Sequence, residues 1–161
     1  VSVDEIVRYS PYSIGVANPQ TEQYIWTWNG AQLNGSSSQI KLSDPGDIQV
    51  TAKKLYSTQS YGTKFCLSPI SDRKNIQLYE DGGFAVYPNP SNGAFTLDTR
   101  YPWANLKVEV YTNRGSLVYA SDIATFETKK DINLTQLPEG PYLIRIRNEN
   151  FTATKHVQIN R

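Results

Sequence analysis

An all-β chain of two tandem antiparallel β-sandwiches is what this sequence predicts, and three observations predict it. Apolar and polar residues alternate in short runs, Gly, Pro, Asn and Ser separate the runs, and no stretch holds helical period for three turns. The 161 residues supply enough chain for two small cores.

Tyr24-Ile25-Trp26-Thr27-Trp28 reads as a strand running into Asn29-Gly30, a pair that accepts the positive φ angles of a tight hairpin. Ile48-Gln49-Val50-Thr51-Ala52 is a second strand. It follows Asp44-Pro45-Gly46, where Pro presets φ and Gly admits φ > 0. Asn75-Ile76-Gln77-Leu78-Tyr79 is the expected last strand of this half. Residues 1–79 resemble an immunoglobulin-like domain of the cysteine-poor kind appended to bacterial surface proteins, in which a core Trp precedes an Asn/Asp-Gly turn. The family's Asp-x-Gly-x-Tyr-x-Cys is here Asp44-Pro45-Gly46-Asp47-Ile48-Gln49-Val50, so the resemblance implies the sandwich without its corner tyrosine or disulfide.

Glu80-Asp81-Gly82-Gly83 reads as a linker, because two glycines carry maximal backbone entropy and two acids offer nothing to a core. A protease would reach the backbone there. From Phe84 onward seven strands are expected, near 84–87, 94–99, 105–111, 117–121, 130–134, 141–147 and 152–159. Phe95 and Leu97 alternate with polar neighbours, as do Leu106, Val108 and Val110, so each set faces one core.

Val86-Tyr87-Pro88-Asn89-Pro90-Ser91-Asn92-Gly93 breaks that rhythm. Pro88 and Pro90 lack a backbone N–H and press Tyr87 and Asn89 toward extended geometry, so the expectation is a stretch that stays extended without ladder pairing. Ser91-Asn92-Gly93 then turns the chain. Two more motifs follow in order: Leu137-Pro138-Glu139-Gly140-Pro141-Tyr142-Leu143-Ile144-Arg145-Ile146, and Thr154-Lys155-His156-Val157-Gln158-Ile159-Asn160-Arg161.

Together these three motifs make residues 84–161 resemble the C-terminal sorting domain of cargo of the bacterial type IX secretion system, the outer-membrane export route of Bacteroidetes. Pro141 and His156 stand where that family prefers aliphatic residues, and Arg161 stands for its more frequent Lys. The resemblance implies a non-catalytic sorting signal, recognised in the periplasm by the type IX translocon and bound by an outer-membrane shuttle barrel. A surface sortase then cuts upstream of the domain and joins the product to anionic lipopolysaccharide, leaving it at the cell surface or secreted. The bond cut would lie around Asp81, Gly82, Gly83 and Phe84. The first domain would serve as a spacer.

Single residues divide by role. Pro88, Asn89, Pro90, Gly93 and Leu137 are expected to be structural, and Gly140 with Tyr142 is expected to form a tyrosine corner whose hydroxyl reaches back to the main chain. In the last strand, alternation sets Lys155, Val157 and Ile159 on one face and His156, Gln158 and Asn160 on the other. A last strand at a sheet edge invites pairing with another chain, so Lys155, His156, Val157, Ile159 and Arg161 are the expected sorting contacts.

The remaining chemistry is sparse. Lys and Arg number 16 against 15 Asp and Glu, a net charge of +1 that recruits neither nucleic acid nor an anionic membrane. No apolar run approaches the roughly 20 residues of a membrane span. One His and one Cys are too few for a zinc site, so no metal and no cofactor are expected. Cys66 is expected as a buried inert thiol, and His156 as an exposed strand residue. A chain that opens on Val1 and contains no Met reads as a piece or processed product of a longer one. Two alternatives compete with sorting: a glycan-binding or adhesive module that uses aromatic faces, with Trp103 the expected exposed contact, and an uncleaved surface component of the secretion machinery.

Overall fold

The computed structural model describes residues 6–19, 23–58 and 62–161; Val1 lies outside them. Every regular element among the described residues is a β-strand, and all named strand pairs reported below are antiparallel. The chain divides into two compact units, Val1–Ile6 with Tyr12–Leu78 and Val7–Pro11 with Tyr79–Arg161. Both are immunoglobulin-like, with strands of two sheets enclosing one apolar cluster each.

The first strand is β1 (Ile6–Ser10). In the first unit, β2 (Ser13–Val16) pairs with β5 (Gln39–Lys41). The opposite sheet runs in the order β4 (Ala31–Gln32), β3 (Gln23–Trp28), β6 (Gly46–Thr58), β7 (Gly62–Leu67), and β8 (Lys74–Ile76) also pairs with β6. The Asn29-Gly30 hairpin forms as expected, with φ of 49° and 83° joining β3 to β4. Trp26 is 1% exposed and donates its indole N–H to the Ser37 carbonyl at 2.8 Å. Ile48 and Val50, at the positions where the resemblance expected tyrosine and cysteine, are fully buried. Apolar packing therefore replaces the corner bond and the disulfide at those two positions.

In the second unit the seven expected strands are present: β9 (Ala85–Tyr87), β10 (Ala94–Asp98), β11 (Leu106–Thr112), β12 (Leu117–Ile123), β13 (Lys129–Asn133), β14 (Gly140–Arg147) and β15 (Thr152–Ile159). One sheet has the order β13-β10-β9 and the other β12-β11-β14-β15. Inward residues follow the period-two pattern: Phe95, Leu97, Val108, Val110, Ile144, Ile146, Val157 and Ile159 are all 3% exposed or less. Residues 7–11 reach this unit by main-chain bonds. Arg8 N donates to Pro102 O at 2.9 Å and Ala104 N donates to Arg8 O at 2.8 Å.

Two expectations are corrected here. Trp103 is not an exposed loop aromatic. It is 1% exposed, its ring centroid lies 5.0 Å from Phe84 and 5.6 Å from Phe151, and burying three rings outweighs the loop-like character of its neighbours. Cys66 is not buried, because it lies on β7, whose described side chains are exposed along their length.

Candidate functional site

The site is best built from Tyr142. Gly140 at φ +143° lets the chain enter β14, and two residues on Tyr142 lies in the core with its hydroxyl donating to the Pro138 carbonyl at 2.8 Å. This is the expected tyrosine corner, and it fixes the segment 134–139 that carries Leu137, itself half-buried and packed on the core.

The proline motif meets β15. Both Tyr87-Pro88 and Asn89-Pro90 are cis. Between them the Asn89 side chain substitutes for a peptide group: its Nδ2 donates to His156 O at 2.9 Å and its Oδ1 accepts from Gln158 N at 3.0 Å. Ser91 then continues with its own main chain, donating to Gln158 O and accepting from Asn160 N, both at 2.8 Å. Ser91 and Ile159 form a parallel bridge. As expected, residues 88–90 join no ladder, and the contact with β15 is made by the Asn89 side chain and the single Ser91 bridge. The prolines do lack donors, but the Asn89 amide supplies what they withhold, and the outward edge of β15 is closed from His156 to Asn160.

The other motifs close the same junction. Gly93 has φ +104°, and a Cβ on it would stand 2.8 Å from Thr135 Cα. Its carbonyl accepts from Leu134 N at 2.7 Å. Arg161 wraps over the corner loop, with its backbone N donating to Glu139 Oε1 at 2.9 Å and its guanidinium donating to the carbonyls of Thr135 and Leu137. Three motifs that are separate in sequence thus form one junction at one end of the unit.

The expected sorting residues sort themselves by position. Val157 and Ile159 point into the core, so their side chains are out of a partner's reach while the unit is folded. His156 and Arg161 are exposed, as are Pro88 and Pro90 beside them. Lys155 is on the inner face, as alternation predicts, and its ammonium lies 2.5 Å from Asp81 Oδ2. That contact, with a second hydrogen bond from Gly83 N, holds the Asp81 carboxyl below its ordinary pKa. The expected linker is consequently a folded turn, in which Gly82 N donates to Tyr79 O at 2.9 Å and Gly82, Gly83 and Phe84 are buried.

On the outer face of the four-stranded sheet, Glu109 is only 7% exposed. Arg147 donates to its Oε1 at 2.9 Å and Arg145 to its Oε2, while Tyr111 adds a third donor at 3.1 Å. The hydrogen bond from Arg147, aided by Arg145 and Tyr111, overcomes burial and lowers the Glu109 pKa to about 2. The sequence pattern did not single out Glu109, since a charged residue in a strand reads as solvated. Among the described residues no three His, Cys, Asp or Glu side chains are grouped to hold a metal ion, and no helix is long and apolar enough to cross a membrane.

Comparison with known proteins adds the following. Residues 85–160 match the family described as the secretion system C-terminal sorting domain. No curated protein matches the chain. Similar solved structures include a two-domain fibronectin type III segment of chicken tenascin, at 8% identity and TM-score 0.40, covering 96% of both chains. A biofilm-associated protein BSP domain covers 98% of this chain and 29% of its own, at 8% identity and TM-score 0.40. An amphioxus IgVJ-C2 molecule covers 96% and 99%, at 12% identity and TM-score 0.30.

Proposed function

We propose that the junction of the three motifs is the surface by which this domain is sorted, because residues 85–160 match the secretion system C-terminal sorting family. The whole chain then acts as the non-catalytic C-terminal part of an exported protein, with the first unit as spacer. The observation that carries this reading is the closure of the β15 edge by Asn89 and Ser91. It favours a folded address over a linear one: Pro88, Pro90, His156 and Arg161 come from both ends of the domain and become neighbours only when it is folded.

The type IX translocon and an outer-membrane shuttle barrel are the partners this surface would meet, delivering the protein to the cell surface or medium. A surface sortase would then act on the turn at 80–84, with transfer to anionic lipopolysaccharide. A protease needs extended backbone, whereas Gly82 and Gly83 here are buried in a turn beside the Lys155–Asp81 pair. That favours a second reading, in which the domain stays attached until the turn is opened. Intact mass of the surface protein separates the two: loss of everything after Gly83 supports cleavage, and the full mass supports retention.

Sorting itself is tested by placing the full chain behind a reporter in a type IX-competent bacterium. Surface delivery should fail when residues 155–161 are removed and should fall sharply for Asn89→Ala. Equal delivery by all three would refute the junction as the address.

A further inference from the structure

The geometry points to the open edge of β7 as a docking strip for an extended, acidic segment of another protein, added as a further strand beside it.

Main-chain parity shows which groups are on offer. Asn29 N donates to Asp47 O, while Ser68 N donates to Ala52 O and Ser71 N to Val50 O. Odd residues of β6 therefore face β3 and even residues face β7. The register pairs Lys54 with Cys66 and Tyr56 with Lys64, so even residues of β7 turn inward. The N–H and C=O groups of Thr63, Phe65 and Leu67 are directed away from the sheet, as a template for strand addition.

The side chains at those positions are apolar and wet. Phe65 is 57% exposed and Leu67 is 51% exposed. Of the eight large exposed apolar side chains among the described residues, four fall between Tyr56 and Ile70. Other edges carry the usual protection: β13 presents Lys129, Lys130 and Asp131, and β12 is irregular where it meets Val110 and Tyr111. β7 has a single charged residue, Lys64.

Charge selects the occupant. From Ile48 to Ser71 there is no Asp or Glu, but there are Lys53, Lys54 and Lys64. Lys53 Nζ lies 4.6 Å from the Phe65 ring centroid and Lys54 Nζ lies 5.5 Å from that of Tyr56, so cations flank the apolar strip. A second copy of this chain would bring the same three lysines to the edge and no acid to meet them, which argues against self-pairing. Strand alternation then defines the ligand. Residues on the Phe65 and Leu67 face are apolar, and those on the opposite face, beside Lys64, are acidic.

The test uses the full chain and a short peptide alternating valine and glutamate. Two control peptides carry the same residues in two blocks, or lysine in place of glutamate. The alternating acidic peptide should bind about tenfold or more tightly than either control by fluorescence anisotropy, and Lys64→Glu should reverse the preference toward the lysine peptide. Amide exchange should slow at Phe65 and Leu67 but stay unchanged at Lys64 and Cys66. Equal binding of all three peptides, or exchange at Phe65 and Leu67 that does not slow, overturns the proposal. So do self-association of the chain that protects the same amides, and binding to phosphatidylglycerol vesicles in place of peptide.

Discussion

Two strands, β15 in the second unit and β7 in the first, each end a sheet, and their outward edges are treated differently. On β15 the main-chain groups from His156 to Asn160 are met by the Asn89 side chain and the Ser91 main chain. On β7 the outward groups of Phe65 and Leu67 meet no strand among the described residues, and these two side chains are apolar and exposed. The difference teaches how an edge is closed without another strand. A single amide at the right height, followed by one residue of extended chain, satisfies four hydrogen-bonding groups, and proline on either side removes donors that would compete.

The comparison breaks most completely at Gly93. A side chain there must adopt φ +104° and push into the Thr135 backbone, which has no flexible end to yield. Gly93→Val should destabilise the second unit by about 3 kcal/mol. Thermal unfolding followed by Trp fluorescence measures this, because Trp103 lies in that core. A midpoint within error of the parent would mean that the motif does not depend on close approach to the corner loop.

Asn89 tests the closure itself. Asn89→Ala leaves His156 O and Gln158 N without their partner and should cost about 1–2 kcal/mol. Amide exchange at Gln158 should quicken while Asn160, held by Ser91, changes less. Asn89→Asp keeps the acceptor for Gln158 N and loses the donor to His156 O, so it should fall between the two. Unchanged exchange at Gln158 in the alanine variant would show that the edge is closed by something other than this amide.

The face of the same sheet responds to pH in a direction that follows from Glu109. Its pKa in the folded unit is about 2 against an ordinary 4.5. The unfolded chain therefore takes up the proton first as pH falls, so the stabilisation is complete above about 4.5 and is lost on the way down to about 2. Unfolding midpoints should decline over that window, and Glu109→Gln should flatten the decline while lowering the midpoint at neutral pH. A variant with the parent's slope would assign the acid sensitivity to other carboxylates.

Much of this was legible from residue order, and the failures have a common cause. Period-two alternation placed Phe95, Leu97, Val108 and Val110 in the core because each burial decision is local to its strand. Asn29-Gly30 and the Gly140-Tyr142 corner were legible for the same reason. The roles of Asn89 and Arg8 were not. Asn89 bonds to residues 67 and 69 positions away, and Arg8 pairs with the chain around Trp103, so no local pattern records either register. Trp103 reads as exposed because Arg100-Tyr101-Pro102-Trp103 reads as a loop, while its burial is decided by Phe84 and Phe151. The last strand was half legible: its bounds and its parity were right, but Val157 and Ile159, expected also as sorting contacts, are core side chains.

The smallest expected change lies on β7 and sharpens the contrast from the other side. Phe65 and Leu67 are more than half exposed, so replacing both with Ser removes little buried area and no hydrogen bond. Stability should move by less than about 0.5 kcal/mol in either direction, as for ordinary surface positions. Val157→Ser on β15, by contrast, puts a hydroxyl into a filled core and should cost about 2 kcal/mol or more. Urea unfolding of the two variants side by side measures both. If the β7 double variant were as damaging as the β15 one, Phe65 and Leu67 would be part of the first unit's core, and an open edge would no longer describe β7. If it is silent, two apolar side chains stand in water there with no structural return, which is the condition a docking strip requires.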